Sequence, residues 1–234
     1  GGAGLDTITA GAGFDVVQVS SNEAENDVMN GGADTDTIVA LGVSAITLNG
    51  FNSLTNSFEG WVGNGLSIQG NGGGNTLNFQ LIGTMTGVPF IDGGSGNDTI
   101  TGTNGVDELR GSDGDDVLIG LGGTDTLRGG NNNDSLNGGD AIDQLYGDAG
   151  SDTITTGAGR DVVYIANDDT LLDTITDFAL YSDYINLSAY GLGWTYGNLT
   201  FVVGVGYREV QLPAPFAAKS IRLNDWTRNP GSTQ

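Results

Sequence analysis

The sequence predicts an all-β fold, a parallel β-roll or β-helix solenoid with a C-terminal antiparallel β cap. Three observations point to it. Residues 93–164 divide into eight consecutive nine-residue units, from GGSGNDTIT (93–101) and GTNGVDELR (102–110) to GDAGSDTIT (147–155) and TGAGRDVVY (156–164). An aspartate recurs every nine residues, at Asp98, Asp107, Asp116, Asp125, Asp134, Asp143, Asp152 and Asp161. An aliphatic follows each two places later, at Ile100, Leu109, Leu118, Leu127, Leu136, Leu145, Ile154 and Val163. This spacing matches neither the helical period of about 3.6 nor the roughly two-residue alternation of a long strand, so each unit holds one short strand and one turn.

Within a unit, a stretch such as Gly93-Gly94-Ser95-Gly96 supplies the turn, because glycine reaches positive φ without a clash. The tripeptides Thr99-Ile100-Thr101, Val117-Leu118-Ile119 and Val162-Val163-Tyr164 are β-prone. Side chains alternate along a strand, so the eighth position faces inward and the seventh and ninth face solvent. Two units make a coil of 18 residues, and coils stack about 4.8 Å apart.

Aspartates 18 apart therefore become vertical neighbours, in the pairs 98/116, 107/125, 116/134, 125/143, 134/152 and 143/161. Two carboxylates about 5 Å apart repel by roughly 0.8 kcal/mol in water and about 3 kcal/mol at an effective dielectric of about 20. Over six pairs this reaches roughly 5–20 kcal/mol, comparable to the whole stability of a domain. A cation between the turns is expected. Carboxylates and turn carbonyls are hard oxygen ligands suited to Ca²⁺, which accepts about 6–8 of them in flexible geometry. Zn²⁺ would call for histidine or cysteine, and the chain has neither.

The nonapeptide, with glycine at positions 1, 2 and 4, aspartate at 6 and an apolar residue at 8, resembles the calcium-binding repeat of the RTX (repeat-in-toxin) family. The resemblance implies an exported protein that leaves by type I secretion machinery, stays unfolded in a low-calcium cytosol and folds outside the cell. Extracellular calcium modules work at a Kd of about 10⁻⁴–10⁻³ M.

Residues 1–39 form a first repeat block: GGAGLDTIT (1–9), AGAGFDVVQ (10–18) and GGADTDTIV (31–39) carry Asp6, Asp15 and Asp36. Between them a degenerate unit around Asp27 and Met29 contains about three extra residues, which would pair Asp6 with Asp27 and Asp15 with Asp36. With the eight later aspartates these make twelve candidate Ca²⁺ ligands, for roughly six to eight ions. Residues 40–92 lose the aspartate but keep short apolar runs, and Asn75 takes the aspartate slot in 70–78. A continued β-helix with a wider core containing Phe51, Phe58 and Trp61 is expected there. Residues 93–164 are the main roll, and 165–234 a capping region. Asp173-Thr-Ile-Thr-Asp177-Phe178 followed by Asp183-Tyr-Ile-Asn-Leu-Ser188 is similar to the segment that closes the roll in serralysin-type RTX proteins. Beyond it, 199–203, 210–212 and 220–223 alternate like antiparallel strands.

Composition narrows the function. The formal charge of −22 argues against nucleic acid or an anionic membrane as partner. No stretch is long and apolar enough to span a membrane. Without histidine the HExxH metalloprotease and the Ser-His-Asp hydrolase are excluded, and no enzyme is expected. Without cysteine, metal replaces the disulfide as the staple. No basic stretch leads into an apolar one at the start, and the first residues already repeat, so a piece of a longer exported or cell-surface protein is expected. The tail 228–234 lacks the apolar ending common in type I signals.

One exposed column carries a second expectation. Position 9 on one side of the roll reads Arg110, Arg128, Tyr146, Tyr164, candidate contacts for an acidic polysaccharide. A Thr-rich ice-binding face on the other side is broken by Val117 and Ile119. The alternatives to a calcium-folding module are thus a polysaccharide-binding or adhesive region, or the non-catalytic C-terminal part of a secreted enzyme.

Overall fold

Short β-prone runs separated by glycine turns cannot bury an apolar face alone, and they do so here by coiling and stacking. The structure, a computed structural model, describes residues 7–20, 28–42, 45–48, 50–52, 58–165, 173–179 and 183–186, and the backbone of the strands at 200–204, 207–211 and 220–224. The first block holds β1 (Thr7–Ala12), β2 (Val16–Ser20), β3 (Val28–Ala33) and β4 (Thr37–Leu41). Next come β5 (Ile46–Leu48), β6 (Gly50–Asn52), β7 (Gly60–Val62), β8 (Ile68–Gly70), β9 (Thr76–Asn78) and β10 (Thr84–Thr86). The main roll holds β11 (Ile91–Ser95), β12 (Thr99–Thr101), β13 (Glu108–Asp113), β14 (Val117–Ile119), β15 (Thr126–Asn131), β16 (Ser135–Ala141), β17 (Gln144–Ala149), β18 (Thr153–Gly159) and β19 (Val162–Tyr164). It is followed by β20 (Asp173–Ile175), β21 (Tyr184–Asn186), β22 (Thr200–Gly204), β23 (Tyr207–Gln211) and β24 (Ser220–Asn224).

From β1 to β21 every pairing is parallel, among the described residues. In the main roll odd-numbered strands stack in one sheet and even-numbered strands in the other. Ile91, Leu109, Leu127, Leu145 and Val163 form one inward column, each 18 residues above the last. Ile100, Leu118, Leu136 and Ile154 form the facing column. All nine are buried.

The middle segment departs from two sides to three. Strands β5, β6 and β7 belong to three different sheets, and β8, β9 and β10 repeat the same three. The coil lengthens accordingly: Ile46, Ile68 and Ile91 are vertical neighbours 22 and 23 residues apart. A third side opens an interior that one aliphatic per strand cannot fill. Aromatics fill it: Phe51 stacks on Phe79 with centroids 4.9 Å apart, and Trp61 meets both edge-on at 5.6 and 5.9 Å. Phe58 is buried with them.

Where two glycines open a unit they have separate reasons, seen at Gly129 and Gly130. A Cβ on Gly129 would lie 2.7 Å from the Gly147 carbonyl oxygen and closer still to Asp134 Oδ2. Gly130 has φ +118°, where a side chain is strained. At the C-terminal end β24 pairs in parallel with β20, and β23 and β22 follow antiparallel, so the ten-stranded sheet ends in a meander. No helix among the described residues is long and apolar enough to cross a membrane.

Candidate metal centre

Positions 6 and 8 of the unit have the same parity along the strand, so a coil that points its aliphatics inward points its aspartates inward too. Asp98, Asp107, Asp116, Asp125, Asp134, Asp143, Asp152 and Asp161 are each at most 6 % exposed. They stand in two columns where strand meets turn. Within a column each aspartate N–H donates to Oδ1 of the aspartate one coil above. The distances are 2.7 Å for Asp98 to Asp116, 2.8 Å for Asp116 to Asp134 and 2.8 Å for Asp134 to Asp152. In the other column Asp107 to Asp125, Asp125 to Asp143 and Asp143 to Asp161 are each 2.9 Å.

The second oxygen is different. Oδ2 of Asp98, Asp116, Asp125, Asp134, Asp143 and Asp161 is buried without a hydrogen-bond partner. In most units it lies against the glycine that opens its own unit, as Asp134 does against Gly129. Asp107, at the foot of its column, is the exception: its Oδ2 accepts from the Thr103 N–H at 2.6 Å and the Thr103 hydroxyl at 2.9 Å. The head of the same column is also closed. Asp183 Oδ2 accepts from the Ala179 N–H and the Thr156 hydroxyl, and Asp177 accepts from the N–H groups of Thr156 and Gly157.

Burial raises these carboxyls well above their ordinary range, to about 6 in Asp98 and Asp161, about 7 in Asp125 and about 8 in Asp134. The N–H donated from the coil below lowers each in part, and neighbouring carboxylates raise them further. Asp107, Asp116 and Asp143 are also raised, by burial first. A buried carboxylate with one empty oxygen calls for a proton or a cation.

Among the described residues no three of the His, Cys, Asp and Glu side chains converge on one point. A cation would therefore take its remaining ligands from backbone carbonyls, such as that of Gly147 beside Gly129. One or two carboxylates with several carbonyls suit Ca²⁺. The residues present fit it.

The first block gives a third, shorter column. The Asp15 N–H donates to Asp36 Oδ1 at 2.9 Å, and Oδ2 of both aspartates is buried without a partner. Asp6 and Asp27 lie outside the described residues. Sequence reasoning missed three members of these columns. Glu59 accepts the Asp36 N–H at 2.9 Å, Asp173 accepts from Asp152 at 3.1 Å, and Asp183 accepts from Asp161 at 3.3 Å. A signal for Asp173 was present, since Asp173-Thr-Ile-Thr repeats the tetrapeptides at 98–101 and 152–155.

Arg110, Arg128, Tyr146 and Tyr164 are brought together in one vertical column. Their flat faces are turned along the column, onto one another. Arg110 lies 3.8 Å over the Phe90 ring, Arg128 lies 3.8 Å over Tyr146, and Tyr146 stacks on Tyr164 at 4.2 Å. Arg110 pairs with Glu108, and Arg128 approaches Asp148 at 3.8 Å. Solvent thus meets ring and guanidinium edges.

The family model for the RTX calcium-binding nonapeptide repeat (4 copies) matches residues 1–18, 23–42, 92–127, 101–136 and 128–163. The matches end at residue 163 and leave the serralysin-type resemblance of 173–188 unmatched. No curated protein matches the chain.

Proposed function

We propose, from the premise that these segments are RTX calcium-binding repeats, that the chain is a calcium-folding module of an exported protein. In this reading it leaves the cell unfolded by type I secretion and coils outside. The observation that carries it is the row of buried Oδ2 atoms without a protein donor. The chain's own residues supply the rest. Stacked aspartates bring charge into the interior, glycines such as Gly129 keep space open beside each carboxylate, and turn carbonyls offer neutral oxygens. Calcium supplies the positive charge that lets these groups be buried together, for roughly six to eight ions. In its absence, carboxylate repulsion and the ordering entropy of 42 glycines favour the open chain. Far-UV circular dichroism during a calcium titration, reversed with EGTA, tests this. At about pH 9, where the carboxyls are ionised, disorder in chelator and a β spectrum at millimolar calcium are expected; a β spectrum without calcium at that pH refutes it.

A second reading is favoured by the unbroken Arg110–Arg128–Tyr146–Tyr164 column. Guanidinium and phenol edges along a flat sheet can hydrogen-bond an acidic polysaccharide, as in an adhesive region of a surface protein. Binding to an alginate-like polymer, lost in the Arg110→Ala/Arg128→Ala variant, is its expected result. Binding no stronger than to unsubstituted dextran rejects it.

A further inference from the structure

An asparagine followed by glycine is open to attack by its own backbone, because glycine has no side chain to crowd its nitrogen beside the asparagine carboxamide. The chain has six such pairs, at 30–31, 49–50, 64–65, 71–72, 104–105 and 137–138. Residue 49 lies outside the described residues. The other five differ in how the glycine nitrogen is held. Asn30-Gly31 and Asn137-Gly138 lie inside β3 and β16. Gly65 donates its N–H to the Gly87 carbonyl at 2.6 Å, and Asn64 Nδ2 donates to the Ala40 carbonyl at 2.8 Å. Gly105 donates its N–H to the Thr103 hydroxyl at 2.9 Å.

Asn71-Gly72 is arranged the other way round. The Gly72 N–H donates to nothing among the described residues, whereas the Asn71 carboxamide oxygen is held. Its Oδ1 accepts from the Gly73 N–H at 3.1 Å and from Asn75 Nδ2 at 2.9 Å. The first bond closes an Asx turn around Gly72, which keeps the carboxamide beside the Gly72 nitrogen. The second donor is fixed in place: Asn75 is 2 % exposed, and its own N–H donates to Asp98 Oδ1 at 2.6 Å. Two donors on one carbonyl oxygen draw charge from its carbon and stabilise the oxyanion that forms when a nucleophile adds. Gly72, Gly73 and Gly74 are exposed, so water reaches the turn.

We propose that Asn71-Gly72 is a self-modification site, at which the asparagine loses ammonia through a cyclic succinimide. The Gly72 nitrogen bonds to Asn71 Cγ and gives its proton to solvent. The Cγ–Nδ2 bond then breaks, and the departing nitrogen takes a proton from water and leaves as ammonia. A water molecule opens the ring at either carbonyl, giving aspartate or isoaspartate at position 71, with no oxidation or reduction. Each product adds a negative charge to the turn below Asp98, and isoaspartate also lengthens the backbone between β8 and β9.

The test follows the full 234-residue chain during storage in mildly alkaline calcium buffer, beside a sample in guanidinium chloride. Circular dichroism reports the fold, and tandem mass spectrometry of digests reads ammonia loss at each Asn-Gly pair. In the folded chain Asn71 is expected to convert about tenfold faster than Asn64 or Asn104, and in denaturant the three should agree within about threefold. Equal rates in calcium buffer, or a ratio that denaturant leaves unchanged, overturn the proposal. A Cβ at Gly72 meets only Ser95 Oγ, at 3.8 Å, so Gly72→Ala keeps the turn while crowding the attacking nitrogen, and Asn71 should convert several times more slowly. An unchanged Asn71 rate in folded Gly72→Ala also overturns the proposal, since the neighbouring nitrogen would then not be the nucleophile. Should Gly72→Ala lose the fold, the wild-type comparison decides alone.

Discussion

Replacing Asp134 by asparagine should stabilise the coil without calcium and destabilise it with calcium. Asp134 is 3 % exposed and stands between Asp116 and Asp152, one coil away on either side. At a coil spacing of about 4.8 Å, each neighbour repels it by about 0.9 kcal/mol in bulk water and about 3.5 kcal/mol at an effective dielectric of about 20. Two neighbours make roughly 2–7 kcal/mol, and the burial of the site favours the upper part of that range. Asparagine keeps an Oδ1 to accept the Asp116 N–H, and its amide can donate toward the Gly147 carbonyl beside Gly129. The pH dependence follows from the raised pKa. Burial lifts Asp134 from 3.8 to about 8 in the coil. A group raised on folding contributes stability that is complete below its unfolded value and is lost as pH rises through its folded value. In EGTA the wild-type coil is therefore favoured at about pH 5 and lost by about pH 9. Asp134→Asn should gain β signal over wild type at about pH 9 and little at about pH 5, where the wild-type carboxyl is already neutral. At millimolar calcium its thermal midpoint should fall, because a charged ligand is gone. Far-UV circular dichroism at both pH values, with and without calcium, reads all four outcomes. No gain of β signal over wild type at about pH 9 in EGTA would refute the stacked-charge reasoning.

Gly129→Ala places a methyl 2.7 Å from the Gly147 carbonyl and against Asp134 Oδ2, and should abolish calcium binding at that turn. Gly73→Ala, with nothing nearer than Asn71 Oδ1 at 3.6 Å, should stay within about 0.5 kcal/mol of wild type in a calcium-loaded melt. Leu127→Ala, fully buried in the inward column, should cost about 2–5 kcal/mol, whereas Val106→Ala at 78 % exposure should cost little; urea unfolding in calcium compares them. Tyr146→Ala removes both the Arg128 contact at 3.8 Å and the Tyr164 stack at 4.2 Å. It should cost about 1–2 kcal/mol by the same measurement without changing the number of bound ions.

What the sequence made legible was whatever keeps a fixed phase. Nine-residue spacing gave the parallel fold, the inward column from Leu109 to Val163 and the stacking of Asp98 on Asp116, because each coil there is 18 residues long. The middle segment was legible only as a wider core around Phe51, Phe58 and Trp61, since nothing in residues 40–92 marks a third side. Glu59 shows why. It takes the aspartate place above Asp36 because Gly60 and Trp61 pair with Thr37 and Ile38, a register set by strand pairing 23 residues away rather than by spacing. Its side chain is one methylene longer, and residues 53–57 before it contain no glycine. Asp173 and Asp183 escaped similarly, because the coils that carry them are 21 and 22 residues long.

The need for metal is tied to the fold by strand parity. The aspartate and the aliphatic of each unit are two residues apart, so they share a face of the strand. Leu127 cannot be buried without burying Asp125, and both have no exposure. A one-residue slip in register would expose the carboxylates but turn the aliphatic column out with them, leaving the thin roll no apolar interior. Moving the charge one position along would free the coil from any cation, yet it would also leave the space beside each opening glycine without a ligand. The same pattern that specifies the roll thus makes its burial of apolar surface conditional on neutralising the carboxylates. On the proposed reading calcium should do this at neutral pH, and protons should do it in acid.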